Sequence, residues 1–125
     1  MNIYVLFLIM MFCHIIDDYY LQGILASMKQ KDWWKENYPS SLYKFDYICA
    51  LCGHAFSWTF MVMLPLLIYF RFQPTDAWLL AFVCNFVIHA CVDDLKANAK
   101  VINLWTDQLI HFAQIVFTIF AVVIV

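Results

Sequence analysis

The sequence predicts an all-α integral membrane protein, a four-helix bundle that forms a single domain over residues 1–125. Hydrophobic residues make up 66% of the chain and charged residues only 13%, which lies outside the range of soluble globular domains. Only two glycines and three prolines are present, so we expect long helices with short connections. The apolar runs are continuous and lack the alternation of a transmembrane β-barrel, which favours helices.

The first predicted span covers residues 3–26. A bilayer core about 30 Å thick requires about 20 helical residues, and this stretch is apolar except for one polar patch. Residues 1–27 lack a basic leading region and a small-residue cleavage site, so we expect a retained span and not a removed signal peptide. Residues 28–46 follow and are rich in Trp, Tyr and Lys, which is typical of a segment lying along the membrane interface.

Three further spans are predicted at residues 47–71, 76–96 and 102–125. Each contains a few polar residues, which a membrane helix tolerates when they face its neighbours. Six of the seven basic residues lie in the first and third connections, and only Arg71 lies in the second. The excess of lysine places those two connections in the cytoplasm and both termini on the non-cytoplasmic side. The basic residues form no dense cluster, which excludes nucleic-acid binding.

Each predicted span carries one histidine. Three of the four have an aspartate at a distance of four residues: His14 with Asp18, His89 with Asp93, and His111 with Asp107. Four residues turn a helix by about 400°, so both members of a pair lie on one face. His54 has no acid at that spacing. At about 1.5 Å of rise per residue, all seven side chains fall in a band about 10 Å thick in the cytoplasmic half of the membrane.

This band of histidines and aspartates predicts a metal site inside the membrane. An aspartate at the centre of a lipid-embedded helix costs about 2.5–3.5 kcal/mol, and no basic residue is expected at this depth except Lys96 near the interface. A divalent ion supplies the missing charge; zinc is the first candidate, and iron and manganese use the same ligand types. The sequence does not decide whether the site binds one ion or two. The predicted metal ligands are His14, Asp18, His54, His89, Asp93, Asp107 and His111.

The sequence leaves open which aspartate of each adjacent pair is the ligand. Asp17 lies about 60° from His14 on the helical wheel and remains a candidate. Asp94 is turned by about 140° from His89, so we expect it to be a helix-end residue near water.

Cysteines and tryptophans are given structural roles. The five cysteines lie in or beside apolar stretches and are expected to be reduced. Cys49 and Cys52 precede His54 at a spacing that can bind zinc, but packing of small residues between helices is the preferred interpretation. The tryptophans are interpreted mainly as interfacial anchors: Trp33, Trp34, Trp58, Trp78 and Trp105.

The order of these motifs resembles a family of small multi-pass bacterial and phage membrane proteins of unknown function. HIIDDYYLQ at 14–22, a histidine in the second span, HACVDDLK at 89–96 and DQLIH at 107–111 match its HxxxDxxxQ, HxxxDxxK and DQxxH motifs. The resemblance covers nearly the whole chain and implies a bacterial inner-membrane location and a similarity to metal-dependent hydrolase-like membrane proteins. The residues expected to support the ligands are Asp17, Gln22, Lys96 and Gln108.

Three functions are compatible with this pattern. In the preferred one, a metal-dependent hydrolase, the ion would activate water for attack on a carbonyl or phosphoryl group of a lipid or amphipathic substrate, with Asp18 or Asp107 as general base. The second is transport of a metal ion or a proton, although the outer thirds of the spans are almost wholly apolar. The third is a non-catalytic membrane effector whose helices are held together by a structural metal ion. An oligomer is compatible with each.

Overall fold

The computed structural model describes residues 2–124, which form six α-helices and, within that range, no β-strand. The predicted domain limits, Met1 and Val125, lie outside the described residues. Four helical segments are long and apolar enough to cross a bilayer: Ile3–Leu21, Ser41–Tyr69, Asp76–Ala99 and Leu104–Ile124. The predicted all-α fold class is therefore confirmed, and the side of the membrane on which the termini lie stays a prediction.

Helix α1 covers Ile3–Ile16 and begins at Asn2, whose side-chain oxygen accepts a hydrogen bond from the backbone N–H of Tyr4. It continues into a π-helical turn over Asp17–Leu21. The chain then bends at Gly23, where φ is +50°, a left-handed conformation that glycine adopts at little steric cost. The first span therefore ends before this bend, earlier than the predicted limit at residue 26.

Two short helices follow the bend, α2 at Leu25–Met28 and α3 at Lys31–Asn37. The indole N–H of Trp34 donates a hydrogen bond to the last carbonyl of α2 at 2.6 Å. The side-chain amide of Asn98 donates to the carbonyl of Lys29 at 3.0 Å. The first bond joins the two short helices, and the second holds the connection against one end of the bundle. We call the end formed by α2 and α3 the lysine-rich end.

The other three long helices are α4 at Asp46–Tyr69, α5 at Asp76–Asp94 and α6 at Leu104–Ile119. Thr75 and Asn103 cap α5 and α6, because their side-chain oxygens accept backbone N–H groups of the first turn. Helix α1 packs on α4, α4 packs on α5, and α6 contacts both α5 and α1. The four long helices therefore form a closed ring.

Inside this ring, buried polar and buried apolar side chains are largely separated along the helix axes. The outer surface is largely apolar, with exposed side chains such as Leu8, Leu80 and Phe117, as expected for helices that contact lipid. Buried polar side chains fill the half of the interior next to the lysine-rich end. The apolar core lies mainly in the other half, and its member Trp58 borders the polar side chains: Leu6, Met10, Trp58, Val62, Met63, Leu66, Trp78, Ile115, Ile119 and Val122.

Candidate metal centre

The predicted site residues meet in the half of the bundle next to the lysine-rich end. Helices α1, α4, α5 and α6 each contribute one histidine, and all four histidines are at most 2% exposed: His14, His54, His89 and His111. Four aspartates lie among them and are at most 7% exposed: Asp17, Asp18, Asp93 and Asp107. Water is excluded from these ionisable groups, so each must find its partners within the protein.

At the centre of this cluster, two histidine nitrogens face each other and each lies close to two carboxylate oxygens. Asp18 Oδ1 lies 3.2 Å from His54 Nε2 and 3.9 Å from His89 Nε2, and the two histidine nitrogens are 3.3 Å apart. Asp93 Oδ2 lies 3.3 Å from His54 Nε2 and 3.7 Å from His89 Nε2. Ligand atoms bonded to a tetrahedral zinc ion at about 2.0–2.1 Å lie about 3.4 Å from one another. The observed spacings fit a shared divalent ion.

A second group of three candidate ligands adjoins the first. Asp18, His54 and His89 form one group with ligand atoms within 4.8 Å of one another, and His89 forms the other with Asp93 and His111. Because His89 belongs to both groups, the arrangement is compatible with one ion or with two adjacent ions.

The buried charges of the cluster do not balance without a further cation. Lys29 Nζ donates a hydrogen bond to Asp93 Oδ2 at 2.7 Å, and Lys96 Nζ donates to Asp107 Oδ2 at 2.6 Å. Four carboxylates against two lysines leave two negative charges when the histidines are neutral, and buried charges without partners are costly. The expectation that no basic residue except Lys96 reaches this depth was wrong, because Lys29, assigned to the interfacial connection, extends into the bundle.

Asp17 lies behind His54, on the Nδ1 side of its ring. Asp17 Oδ2 is 3.7 Å from His54 Nδ1, and Asp17 Oδ1 accepts a hydrogen bond from the Ser57 hydroxyl at 2.6 Å. The two atoms make no hydrogen bond at this distance, so Asp17 adjoins the ring of His54 without the bond by which a carboxylate orients a metal-binding imidazole. Asp17 and Asp18 are both buried because one faces α4 and the other faces the centre of the cluster.

A chain of hydrogen bonds orients the ring of His111. Gln114 Nε2 donates to the carbonyl and side-chain oxygens of Asn85, each at 3.2 Å, and the Asn85 amide donates to Thr118 Oγ1 at 2.7 Å. Gln114 Oε1 therefore faces His111 Nδ1, at 2.8 Å, and the proton of the neutral ring lies on Nδ1. His111 Nε2 keeps its lone pair and makes no hydrogen bond. Asn85 precedes His89 by four residues, and this spacing was an available sequence signal.

His14 differs from the other histidines because both of its ring nitrogens are hydrogen-bonded. Trp58 Nε1, which can only donate, donates to His14 Nδ1 at 2.8 Å. His14 Nε2 then carries the proton and donates to Gln108 Oε1 at 3.0 Å. Gln108 Nε2 in turn donates to Asp107 Oδ2 at 3.0 Å and to Asp18 Oδ2 at 3.4 Å. In this arrangement His14 supports two carboxylates and offers no free lone pair to a metal.

Trp58 is a central residue of the cluster that the sequence interpretation missed. Its assignment as an interfacial anchor was wrong, because its side chain is fully buried and stacks on the ring of His89, with ring centroids 4.1 Å apart and an interplanar angle of 16°. Trp58 follows His54 by four residues and therefore lies on the same face of α4. That spacing could have indicated its position.

The remaining predicted residues lie at the edge of the cluster. The Gln22 side-chain amide donates to the backbone carbonyl of Asp18, so it caps the end of the first span. Asp94 Oδ1 accepts a hydrogen bond from the Asn98 amide at 2.7 Å and belongs to neither group of candidate ligands. The five cysteines are free thiols.

No protein-family model, curated protein or solved structure matches this chain. The resemblance to a family of bacterial and phage membrane proteins therefore stays a prediction. Functional inference rests on the geometry and chemistry of the residues described above.

Proposed function

We propose that this protein is a multi-pass membrane protein that binds a divalent metal ion between its helices and uses it to hydrolyse an ester bond in a lipid or amphipathic substrate. The observation that carries the proposal is the pair of facing ring nitrogens of His54 and His89, 3.3 Å apart, each of which lies 3.2–3.9 Å from a carboxylate oxygen of Asp18 and one of Asp93. With neutral histidines, four carboxylates against two lysines leave two negative charges around them without a cation. Zinc is the first candidate, and iron and manganese accept the same ligand types.

Asp107 is the preferred general base in this proposal. Its Oδ2 is held by Lys96 and Gln108, whereas its Oδ1 is buried without a hydrogen-bond partner, 3.4 Å from His111 Nε2. Asp18 is the weaker candidate, because its Oδ1 faces the proposed ion. A bound ion would polarise the substrate and stabilise the charge that develops during attack by water.

The proposed reaction transfers one proton through Asp107. As the oxygen of water bonds to the carbonyl carbon or the phosphorus, its proton passes to Asp107 Oδ1. The same proton then passes to the leaving oxygen as the ester bond breaks, so that the products are an acid and an alcohol. Lys96 and Gln108 keep the carboxylate in place during both transfers.

Transport of a metal ion or a proton is the main competing function. Polar contacts extend from His111 through Gln114 and Asn85 as far as Thr118. Beyond that level the apolar core fills the interior of the bundle. A continuous polar path across the membrane would need groups in that half, so the arrangement favours a site that is open to one side over a transport pathway.

Metal analysis of protein purified in mild detergent without chelators tests the binding step. We expect stoichiometric zinc, iron or manganese in the wild type and loss of metal in His89→Gln, because His89 belongs to both groups of ligands. His14→Gln is the matched control, since it changes an equally buried histidine whose two nitrogens are already hydrogen-bonded. Background metal in the wild type would contradict the proposal. Equal loss in both variants would contradict the distinction between the two histidines.

Turnover is tested with the metal-loaded protein in phospholipid vesicles, with released fatty acid or head group measured by mass spectrometry. Asp107→Asn should keep the metal and abolish turnover. Asp94→Asn is the control, because Asp94 bonds to Asn98 outside the cluster, and it should keep both properties. Metal-loaded wild type that releases no product from phospholipid esters would refute hydrolysis of this class. Ion flux into the same vesicles would then support transport.

A further inference from the structure

A groove on the side of the bundle, between the first span and α6, adjoins the candidate metal centre without being lined by its central ligand candidates. Its volume is about 580 Å³, within the range of about 300–1,000 Å³ that is usual for small-molecule sites. His14 and Gln108 line it together with apolar and aromatic side chains. A polar floor under apolar walls distinguishes this groove from an ordinary gap between two helices.

The groove runs along the helix axes and changes character from one end to the other. On the first span it extends from Met11 to Tyr20, which corresponds to about 14 Å at about 1.5 Å per residue. Met11 and Phe112 form its end towards the apolar core. Tyr20 and Trp105, both largely exposed, form its end towards the lysine-rich end, and such residues favour the membrane interface. This profile matches a lipid, whose chain is apolar and whose head is polar.

The floor of the groove is in direct contact with the catalytic groups proposed above. Gln108 accepts a hydrogen bond from His14 at 3.0 Å and donates to Asp107 Oδ2, also at 3.0 Å. A molecule lying in the groove at the depth of Gln108 is therefore one side chain away from the preferred general base.

A second groove, between α5 and α6, touches the cluster only through Gln114, which bonds to His111, and has no link to the preferred general base. Its volume is about 460 Å³ and its polar lining consists of Asn85, Gln114 and Thr118. These side chains are hydrogen-bonded to one another. Within the described residues, no histidine or carboxylate lines it. It offers a largely apolar surface to lipid, and Gln114 separates it from His111.

We propose that the groove between α1 and α6 binds one acyl chain of a membrane lipid ester, which reaches the candidate metal centre sideways from the bilayer. The chain would lie along Met11 and Phe112, the ester group at Gln108, and the head group near Trp105. The substrate class is then an acyl ester of a membrane lipid from the leaflet at the lysine-rich end. The reaction rests on the proposed function, whereas binding of the chain does not.

The test is photocrosslinking in vesicles of phosphatidylethanolamine and phosphatidylglycerol that contain a phospholipid with a diazirine on one acyl chain. Peptide mapping should concentrate the crosslinks at Met11, Ile15 and Phe112. Leu109→Trp fills the groove and should lower them by about tenfold, which corresponds to about 1.4 kcal/mol. Leu8→Trp is the matched control, because both leucines are 64% exposed and only Leu109 lines the groove.

Crosslinks spread evenly over the lipid-facing positions of all four spans would overturn the proposal. An equal loss of crosslinks in the two tryptophan variants would also overturn it. Metal content is measured on the same samples. Groove crosslinks without bound metal would refute the proposed function and support the acyl-chain site. Bound metal without groove crosslinks would refute the acyl-chain site and leave the proposed metal binding intact. If Leu109→Trp does not fold, the wild-type crosslink map decides alone.

Discussion

Replacing Lys29 with methionine isolates the charge imbalance of the cluster. Lys29 Nζ lies 2.7 Å from Asp93 Oδ2, and the two side chains are 7% and 1% exposed. Methionine retains much of the apolar stem of lysine and removes the charge. The substitution therefore leaves the packing largely intact and the Asp93 carboxylate without its cation.

The expected loss follows from the burial of this pair. Removing one partner of a buried ion pair costs about 3–5 kcal/mol, because the other charge remains buried and unpaired. Asp93 Oδ2 also lies 3.3 Å from His54 Nε2 and 3.7 Å from His89 Nε2, where a bound cation would offset part of this cost. We expect the full loss of about 3–5 kcal/mol in metal-free Lys29→Met and a clearly smaller loss in the metal-loaded variant.

Equilibrium unfolding in a denaturing detergent, with and without chelator, measures both values. Lys35→Met is the matched control, because its pair with Asp32 is 74% and 56% exposed, and exposed pairs contribute little. The double variant Lys29→Met/Asp93→Asn removes both charges and should recover most of the stability. A loss that does not depend on the metal, or a double variant that recovers nothing, would refute the charge reasoning and indicate a packing role.

Three further predictions concern single hydrogen bonds and one exposed acid. Trp58→Phe leaves His14 Nδ1 buried without a donor and should lower the free energy of unfolding by about 1–3 kcal/mol; an unchanged detergent midpoint would contradict this. Gln114→Leu removes the acceptor that holds the proton of His111 on Nδ1, and it should weaken metal binding by about 10–100-fold. Competition with a chromophoric chelator measures the affinity, and an unchanged affinity would show that Gln114 does not support the metal centre. Lys35 and Lys100 hold the pKa of Asp32 below its ordinary value. The stabilisation of the fold by these two pairs is therefore complete above the ordinary aspartate pKa, and it is lost as the pH falls through the lowered pKa of Asp32. Carboxyl ¹³C titration should show a higher Asp32 pKa in Lys35→Met, and an unmoved titration would argue against the pairing.

Local helix geometry was enough to predict that histidines and aspartates of the four long helices lie at one level. Within a helix, the spacing of His89 and Asp93 decides that both side chains lie on one face, and the rise per residue decides their depth. Both quantities can be read from the sequence once the spans are located. The structure accordingly brings these side chains together with His54, which lies on a different helix.

The position of Lys29 could not be obtained in this way. Its ammonium group reaches Asp93 because the chain bends at Gly23 and α2 then returns the lysine to the end of the bundle. The angle of such a bend depends on tertiary contacts, including the bond from Asn98 to the Lys29 carbonyl. A lysine in a connection rich in aromatic residues is typical of the membrane interface, and only the packed structure distinguishes it from a lysine that enters the interior.

The chemical roles of the histidines depend on their partners more than on their spacing. His14 and His111 each have an aspartate four residues away, yet the first meets a group that can only donate and the second meets an amide oxygen that can only accept. The donor to His14 Nδ1 directs its proton to Nε2, where Gln108 accepts it, so neither nitrogen is free. The acceptor at His111 Nδ1 leaves Nε2 free for a metal. In the proposed metal centre, a side chain that donates and accepts would therefore replace His14 without loss of the ion, whereas position 111 would require a lone pair directed at the centre of the cluster.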